Sequence, residues 1–316
     1  MKALISGGCG QVGSHVAEML LAHGDEVVSV DDFSTGRPEH LPEQENLTLI
    51  TGTIADKELV YSTIEDHKPD VVIHTAASYK DPDDWYNDTL TNTVGGTTLV
   101  RASLDLKVSR FIYFQTALCY GLHPTEQPIT LSHPKNPGNS SYSISKTATE
   151  DYLELSGLDY VTFRLANVIG PRNVSGPLPI FYQRLSEGKG CFVTEARRDF
   201  VFVKDLARAV IQATNGTGRG AYHFSSGTDV PIIRLYDAVV AGMKLNDYPQ
   251  PEIRPLGEDD AASILLDPSR TFADFGEIEF TPIEETVAEA CAYYEKFGVH
   301  GGYTHLRHDE SKKDES

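Results

Sequence analysis

A five-residue run, Lys2-Ala3-Leu4-Ile5-Ser6, leads straight into Gly7-Gly8-Cys9-Gly10-Gln11-Val12-Gly13, and a helical pattern runs on from Val12 to His23. Gly7, Gly10 and Gly13 are spaced three and three. Glycines here let the chain turn tightly from strand to helix and let a ligand approach the backbone closely. The open N–H groups at the start of the helix then suit a pyrophosphate. The arrangement restricts the chain to a parallel α/β sheet with its ligand at the first strand–helix turn. A glycine triplet alone is often only a turn. A second signal stands about 130 residues on, in Tyr142-Ser143-Ile144-Ser145-Lys146. Four residues apart on a helix, Tyr142 and Lys146 share a face. An ammonium beside a phenol favours the phenolate and lowers its pKa from the ordinary ~10. Together the two signals imply a dinucleotide enzyme whose base is a tyrosine.

The pattern between the signals agrees. Short apolar runs at Ala3–Ile5, Glu26–Val30, Leu47–Ile50, Val71–His74, Phe111–Phe114 and Tyr160–Arg164 read as six strands covered on both faces. Helical patterns separate them at Val12–His23, Asp56–His67, about Asp83–Leu106 and Ser140–Ser156. This alternation predicts a doubly wound, Rossmann-type α/β sheet over residues 1–166. After residue 166 turns dominate, with short helices expected at 178–187, 204–214, 231–243 and 283–298. Residues 167–305 read as a smaller C-terminal substrate-binding lobe, with chain crossings between the lobes. The charged tail 306–316 reads as disordered.

Composition excludes several classes. The net charge of −19 argues against a nucleic-acid binder. No run approaches the roughly 18 apolar residues of a membrane helix, and no signal peptide is visible. Cys9, Cys119, Cys191 and Cys291 lack zinc spacing and read as reduced thiols of a cytoplasmic protein, with no metal expected.

Asp31 ends the second strand, eighteen residues after Gly13. A carboxylate there accepts both hydroxyls of an adenine ribose and repels a 2′-phosphate, which favours NAD over NADP. Asp32 is placed to share or take over the role. Arg37, nearby, is the alternative residue that would meet a 2′-phosphate instead.

The chain resembles the extended short-chain dehydrogenase/reductases of the nucleotide-sugar epimerase and dehydratase group, of the UDP-galactose 4-epimerase type. The matching pieces are Gly7 to Gly13, Asp31, His74-Thr75-Ala76-Ala77, Asn92 to Thr97, Thr116 to Gly121, Tyr142 to Lys146, Arg164 to Arg172 and Arg198 to Asp205. Ala76 to Trp85 is similar to epimerases of bacterial surface-polysaccharide clusters. The resemblance implies that Gln11, Val12, Ala76 and Ala77 line the cofactor path, that Asn92 holds the strand ends together, and that Lys146 also contacts the nicotinamide ribose. It makes Thr116, Tyr142 and Lys146 the catalytic set. It gives Thr116, Asn167 and Arg198 to the substrate, with Arg197 as the alternative diphosphate clamp. Lys80 reads either as a contact to a phosphate or carboxylate or as a surface lysine. Arg254 lies in a segment one residue longer than the family's, and Thr53 replaces an adenine-contacting Asp.

Relatives that eliminate water place Asp-Glu after the threonine. Here those positions are Ala117 and Leu118. The resemblance therefore implies an NAD-dependent epimerase of a nucleotide sugar, UDP-linked by preference, acting at C4 with Tyr142 as base. A dehydratase or keto-sugar reductase is the alternative enzyme, and a non-catalytic NAD-binding sensor the alternative class. It also implies a homodimer seamed by helices 83–106 and 140–156, with Leu99, Ala102, Leu153 and Leu155 as apolar candidates.

Overall fold

The computed structural model describes residues 1–138, 140–257 and 260–299; the tail 306–316 lies outside them. The first half gives β1 (Lys2–Ser6), α1 (Gln11–Ala22), β2 (Glu26–Asp31), β3 (Leu47–Thr51), α2 (Lys57–His67), β4 (Val71–His74), α3 (Trp85–Asp88), α4 (Gly96–Asp105), β5 (Arg110–Thr116), α5 (Ser141–Ser156) and β6 (Tyr160–Leu165). These six strands and a seventh, Gly220–Phe224, form one sheet in the order Gly220–Phe224, β6, β5, β4, β1, β2, β3. Every pairing is parallel. The fold is a doubly wound α/β sheet.

The apolar runs are near-continuous because both faces are covered. On one face Val16 and Leu20 of α1 pack with Leu206 and Val210 of a later helix against Ile5, Phe163 and Phe224. On the other, Ile64 of α2, Leu99 of α4 and Leu153 of α5 pack against Leu4, Val72 and Phe111.

The remaining helices are α6 (Pro177–Ser186), α7 (Val203–Thr214), α8 (Ile232–Gly242), α9 (Ser269–Phe275) and α10 (Ile283–Phe297). α6, α8 and α10 enclose a second core around Phe181, Leu235, Val239 and Val287. α7 instead carries Leu206 and Val210 back to the main sheet, and the seventh strand follows it. That strand was not legible as one. Gly220-Ala221-Tyr222-His223-Phe224 has weak strand propensity, and pairing with β6 supplies what propensity does not.

The helix expected over 83–106 is interrupted. Asp84 caps α3 by accepting from the Asn87 N–H at 3.1 Å. A π-helical segment, Thr89–Gly95, then separates α3 from α4. Such wide turns shift side-chain register and often mark functional positions. A Cβ on Gly95 would lie 2.7 Å from Ile54, and one on Gly96 would lie 2.6 Å from Thr149 of α5. The helix therefore packs closely on both sides here. Among the described residues no helix is long and apolar enough to cross a membrane, and no cluster of ligands fits a metal ion. All four cysteines are free and buried.

Candidate active site

The carboxyl ends of β1, β2, β4, β5 and β6 open onto a cleft of about 330 Å³, closed on its far side by lobe residues that include Ser175, Pro177 and Phe200. The glycine loop forms its floor. Gly7 has a positive φ of 72°, and a Cβ there would lie 2.6 Å from the Ala76 nitrogen. A Cβ on Gly13 would lie 2.3 Å from the Gly7 carbonyl oxygen. No side chain caps α1, so its first turn presents backbone N–H groups where Gly10, Gln11, Val12 and Gly13 line the cleft. Gln11 Nε2 is buried in the same wall without a hydrogen-bond partner among the described residues.

Asp31 is 6% exposed at the end of β2. Its Oδ2 accepts from the Cys9 N–H and its Oδ1 from the Phe33 N–H, both at 2.8 Å. Burial pushes its carboxyl up from the ordinary value, and these two N–H groups oppose the shift. Each oxygen keeps a second lone pair for a ribose hydroxyl. Asp32 also lines the cleft and accepts from the Ser34 N–H at 2.9 Å. Arg37 is not among the lining residues. Its Nε sits 3.5 Å from Glu39 and its backbone N–H donates to the Cys9 carbonyl.

Thr116 at the end of β5, and Tyr142 and Lys146 on α5, meet in the cleft wall. α5 is fixed at both ends. Ser140 Oγ caps it by accepting from the Ser143 N–H at 3.1 Å, and Gly157 closes it with a φ of 72°. Thr116 Oγ1 accepts from the Leu118 N–H at 3.2 Å. The Tyr142 ring meets the Tyr79 ring edge-on at 6.3 Å. Lys146 is 3% exposed, with its ammonium nitrogen 4.3 Å from the centre of the Tyr113 ring.

The electrostatics correct one expectation. Lys146 was expected to lower the Tyr142 pKa, yet burial pushes the phenol up, with Tyr79 and Asp88 adding to the rise. Burial likewise lowers Lys146 to about 7, against the pull of Glu150. Desolvation favours the uncharged form of both groups, phenol and amine. For Tyr142 to act as a base, a positive charge beside it must offset that burial.

Ala76, Ala77 and Asn167 line the cleft as expected; Lys80, Asn92 and Arg198 do not. Asn92 works behind the wall. From the π-helical segment its Oδ1 accepts from the Ser78 N–H at 2.8 Å, and its Nδ2 donates to the Ser78 carbonyl and to Ser145 Oγ. It thus ties the segment after β4 to α5. Arg198 donates to the Ala261 carbonyl at 2.7 Å and pairs with Asp260. Arg197 pairs with Asp229, Arg254 stacks on Phe192, and Arg184 donates to the Gly190 carbonyl. Lys80 is exposed. Several cleft residues went unassigned in the sequence, Tyr79 and Gln115 among them. Tyr79 had no periodicity to mark it, and Gln115 was masked by its place in a strand.

A glycine floor with no room for side chains, a buried carboxylate at the end of β2 and an amide nitrogen left without a partner among the described residues on the first turn of α1 fit a dinucleotide. The model of the NAD dependent epimerase/dehydratase family matches residues 3–223. The chain belongs to this family. Among curated members it is 29% identical to the UDP-glucose 4-epimerase of Mycolicibacterium smegmatis, over 93% of this chain and 98% of that protein. Among solved structures, the Bordetella bronchiseptica enzyme WbmH in complex with NAD+ matches with 69% identity and a TM-score of 0.93, over 94% of this chain and 99% of that one. The WbmG enzyme of the same organism, in complex with NAD and UDP, matches with 38% identity and a TM-score of 0.88, over 96% and 98%.

Proposed function

We propose that this chain, an NAD-dependent nucleotide-sugar epimerase, inverts C4 of a UDP-sugar through a transient 4-keto intermediate. One observation carries the reaction type. Among the described residues, Asp31 and Asp32 supply the only carboxyl groups lining the cleft. They stand at the end of β2, three strands from Thr116 on β5, or about 14 Å at ordinary strand spacing. Ala117 and Leu118, where a dehydratase keeps its acid, pack in an apolar cluster with Cys119 and Tyr120. Loss of water has no carboxylic acid near Thr116 to protonate its leaving hydroxyl among the described residues, and reversible oxidation at C4 needs no such acid.

NAD, when bound, supplies a reversible hydride acceptor. Gly7 to Gly13 and Asp31 would hold it, and Lys146 would contact its nicotinamide ribose. Tyr142 takes the proton of the C4 hydroxyl and returns it after the sugar has turned over. Lys146, as the ammonium, supports the phenolate that takes this proton, and Thr116 Oγ1 relays or holds the hydroxyl hydrogen. Asn167 and the lobe wall keep the nucleotide diphosphate anchored while the sugar turns. Arg198 would join them once released from Asp260. Lys80 would reach a substrate phosphate or carboxylate from the rim.

With a panel of UDP-sugars, the expected product is a stereoisomer of unchanged mass, formed with catalytic NAD and with no solvent deuterium at C4 in heavy water. A product about 18 mass units lighter would establish a dehydratase, and stoichiometric use of added NAD(H) a reductase. NAD binding with no turnover on any sugar would leave the sensor reading.

We also propose a homodimer, with a seam different from the one expected. Leu99, Ala102 and Leu153 are fully buried in the chain's own core, because they face the sheet. Leu155 is 80% exposed and stands with exposed Ile144 and Tyr152 on α5, Trp85 and Tyr86 on α3, and Val94. These side chains form the apolar surface available to a second copy. Light scattering at micromolar concentration should give twice the 34.7 kDa chain mass, and Ile144→Glu with Leu155→Glu should give monomer. A wild-type monomer would count against the dimer. Soluble NAD and nucleotide-sugar substrates make the cytoplasm its proposed place of action.

A further inference from the structure

Glu150 follows Lys146 by one helical turn, as Lys146 follows Tyr142. The three side chains therefore form one stripe along α5. Glu150 is completely buried. A buried carboxylate is costly unless every lone pair is used, and here the partners are present. Its Oε1 accepts from Arg164 Nε at 2.9 Å and its Oε2 from Gln115 Nε2 at 3.2 Å, with Lys135 Nζ at 3.5 Å. Arg164 is held in turn, since its Nη1 donates to the Tyr120 hydroxyl at 2.6 Å. The Tyr120 hydroxyl meets His223 Nε2 at 2.7 Å, and His223 Nδ1 meets the Asp267 carbonyl at 2.9 Å. A carbonyl only accepts, so Nδ1 carries the hydrogen and Nε2 takes that of Tyr120.

Gln115 connects this carboxylate to the reaction. While Nε2 donates to Glu150, Oε1 accepts from the Thr116 N–H at 2.8 Å. The amide is 1% exposed, yet it belongs to the cleft wall. The Thr116 peptide is therefore held by a side chain that Glu150 itself orients.

We propose that Glu150 and Gln115 are positioning residues of the epimerase, Gln115 fixing Thr116 and Glu150 serving both Gln115 and Lys146; the proposal rests on the tyrosine-base reading. The groups facing Lys146 are His74 on β4, Tyr113 on β5, and Tyr142 and Glu150 on its own helix. Glu150 is the carboxylate among them. It opposes the desolvation that strips the proton from Lys146. Removing its charge should let Lys146 lose its proton at lower pH.

The test uses the full chain loaded with NAD, in two near-isosteric variants. Gln115→Met keeps the packing and deletes the amide's hydrogen bonds to Glu150, Thr116 and Thr147. It should lower kcat about 10-fold or more with KM within about 3-fold, and leave the pH profile of kcat in place. Glu150→Gln should move the high-pH limb of kcat down by about one unit or more. Side-chain NMR of Lys146 gives a second readout that needs no substrate. Its midpoint should fall in Glu150→Gln and stay put in Gln115→Met. An unchanged Lys146 midpoint in folded Glu150→Gln overturns the proposal, as does a Gln115→Met kcat within twofold of wild type. If Glu150→Gln does not fold, Gln115→Met decides alone. Wild type inactive on every sugar, with the Lys146 midpoint still moving in Glu150→Gln, would reject the epimerase reading and keep the Glu150–Lys146 link.

Discussion

Tyr142→Phe should reduce turnover by about 10²- to 10⁴-fold, the range lost when a positioned acid–base group is removed. The ring packs edge-on against Tyr79 at 6.3 Å, and phenylalanine preserves that contact. What disappears is the hydroxyl that exchanges a proton with the sugar. Bound NAD should survive, because the glycine floor, Asp31 and Lys146 are untouched. NAD content after purification and product formation by NMR separate the two effects. A variant within fivefold of wild type would sink the tyrosine-base mechanism. A variant that also loses NAD would show that the hydroxyl is part of the cofactor site. The raised pKa of Tyr142 sharpens the expectation. A buried phenol gives up its proton only with help, and the lysine one turn along is the cation placed to provide it.

How much of this was legible depended on whether a signal was local. The glycine floor was legible because its spacing is short and each glycine has a steric reason within the same turn. The Tyr142–Lys146 pair was legible because helical periodicity alone puts the two on one face. Their charge state was not, because the wall around them comes from β4 and β5, and it is burial that sets both pKa values. Glu150 lies on the same stripe, but its partners Gln115, Arg164 and Lys135 come from three other segments. Three of the four dimer candidates are turned into the chain's own core for a related reason. Leu99, Ala102 and Leu153 are apolar residues on the right helices, but composition cannot say which face of a helix meets the sheet. The π-helical segment left no trace in the sequence either, since Thr, Asn, Val and Gly permit several helical registers.

Gly13→Val should abolish detectable NAD binding and lower stability by about 1–3 kcal/mol, the usual cost of forcing extra atoms into a packed site. A Cβ at this position would lie 2.3 Å from the Gly7 carbonyl oxygen, 2.8 Å from the Gly8 Cα and 2.7 Å from Thr75 Oγ1. Two of those neighbours are backbone atoms, so no rotamer change relieves the clash and the loop itself must move. Thr75 cannot retreat freely, since its hydroxyl donates to the Ser6 carbonyl at 2.7 Å and to the Gly7 carbonyl at 3.0 Å. Displacing Gly7 and Gly8 shifts the N–H groups that face the pyrophosphate and pulls on Cys9, whose N–H fixes Asp31. Both ends of the dinucleotide site would then lose their geometry through one substitution. Gly190→Ala is the control, because a Cβ there meets nothing within 4 Å. Calorimetric titration with NAD and thermal melts of the two variants make the comparison. NAD affinity in Gly13→Val within threefold of wild type would show that the cofactor does not lie on this loop.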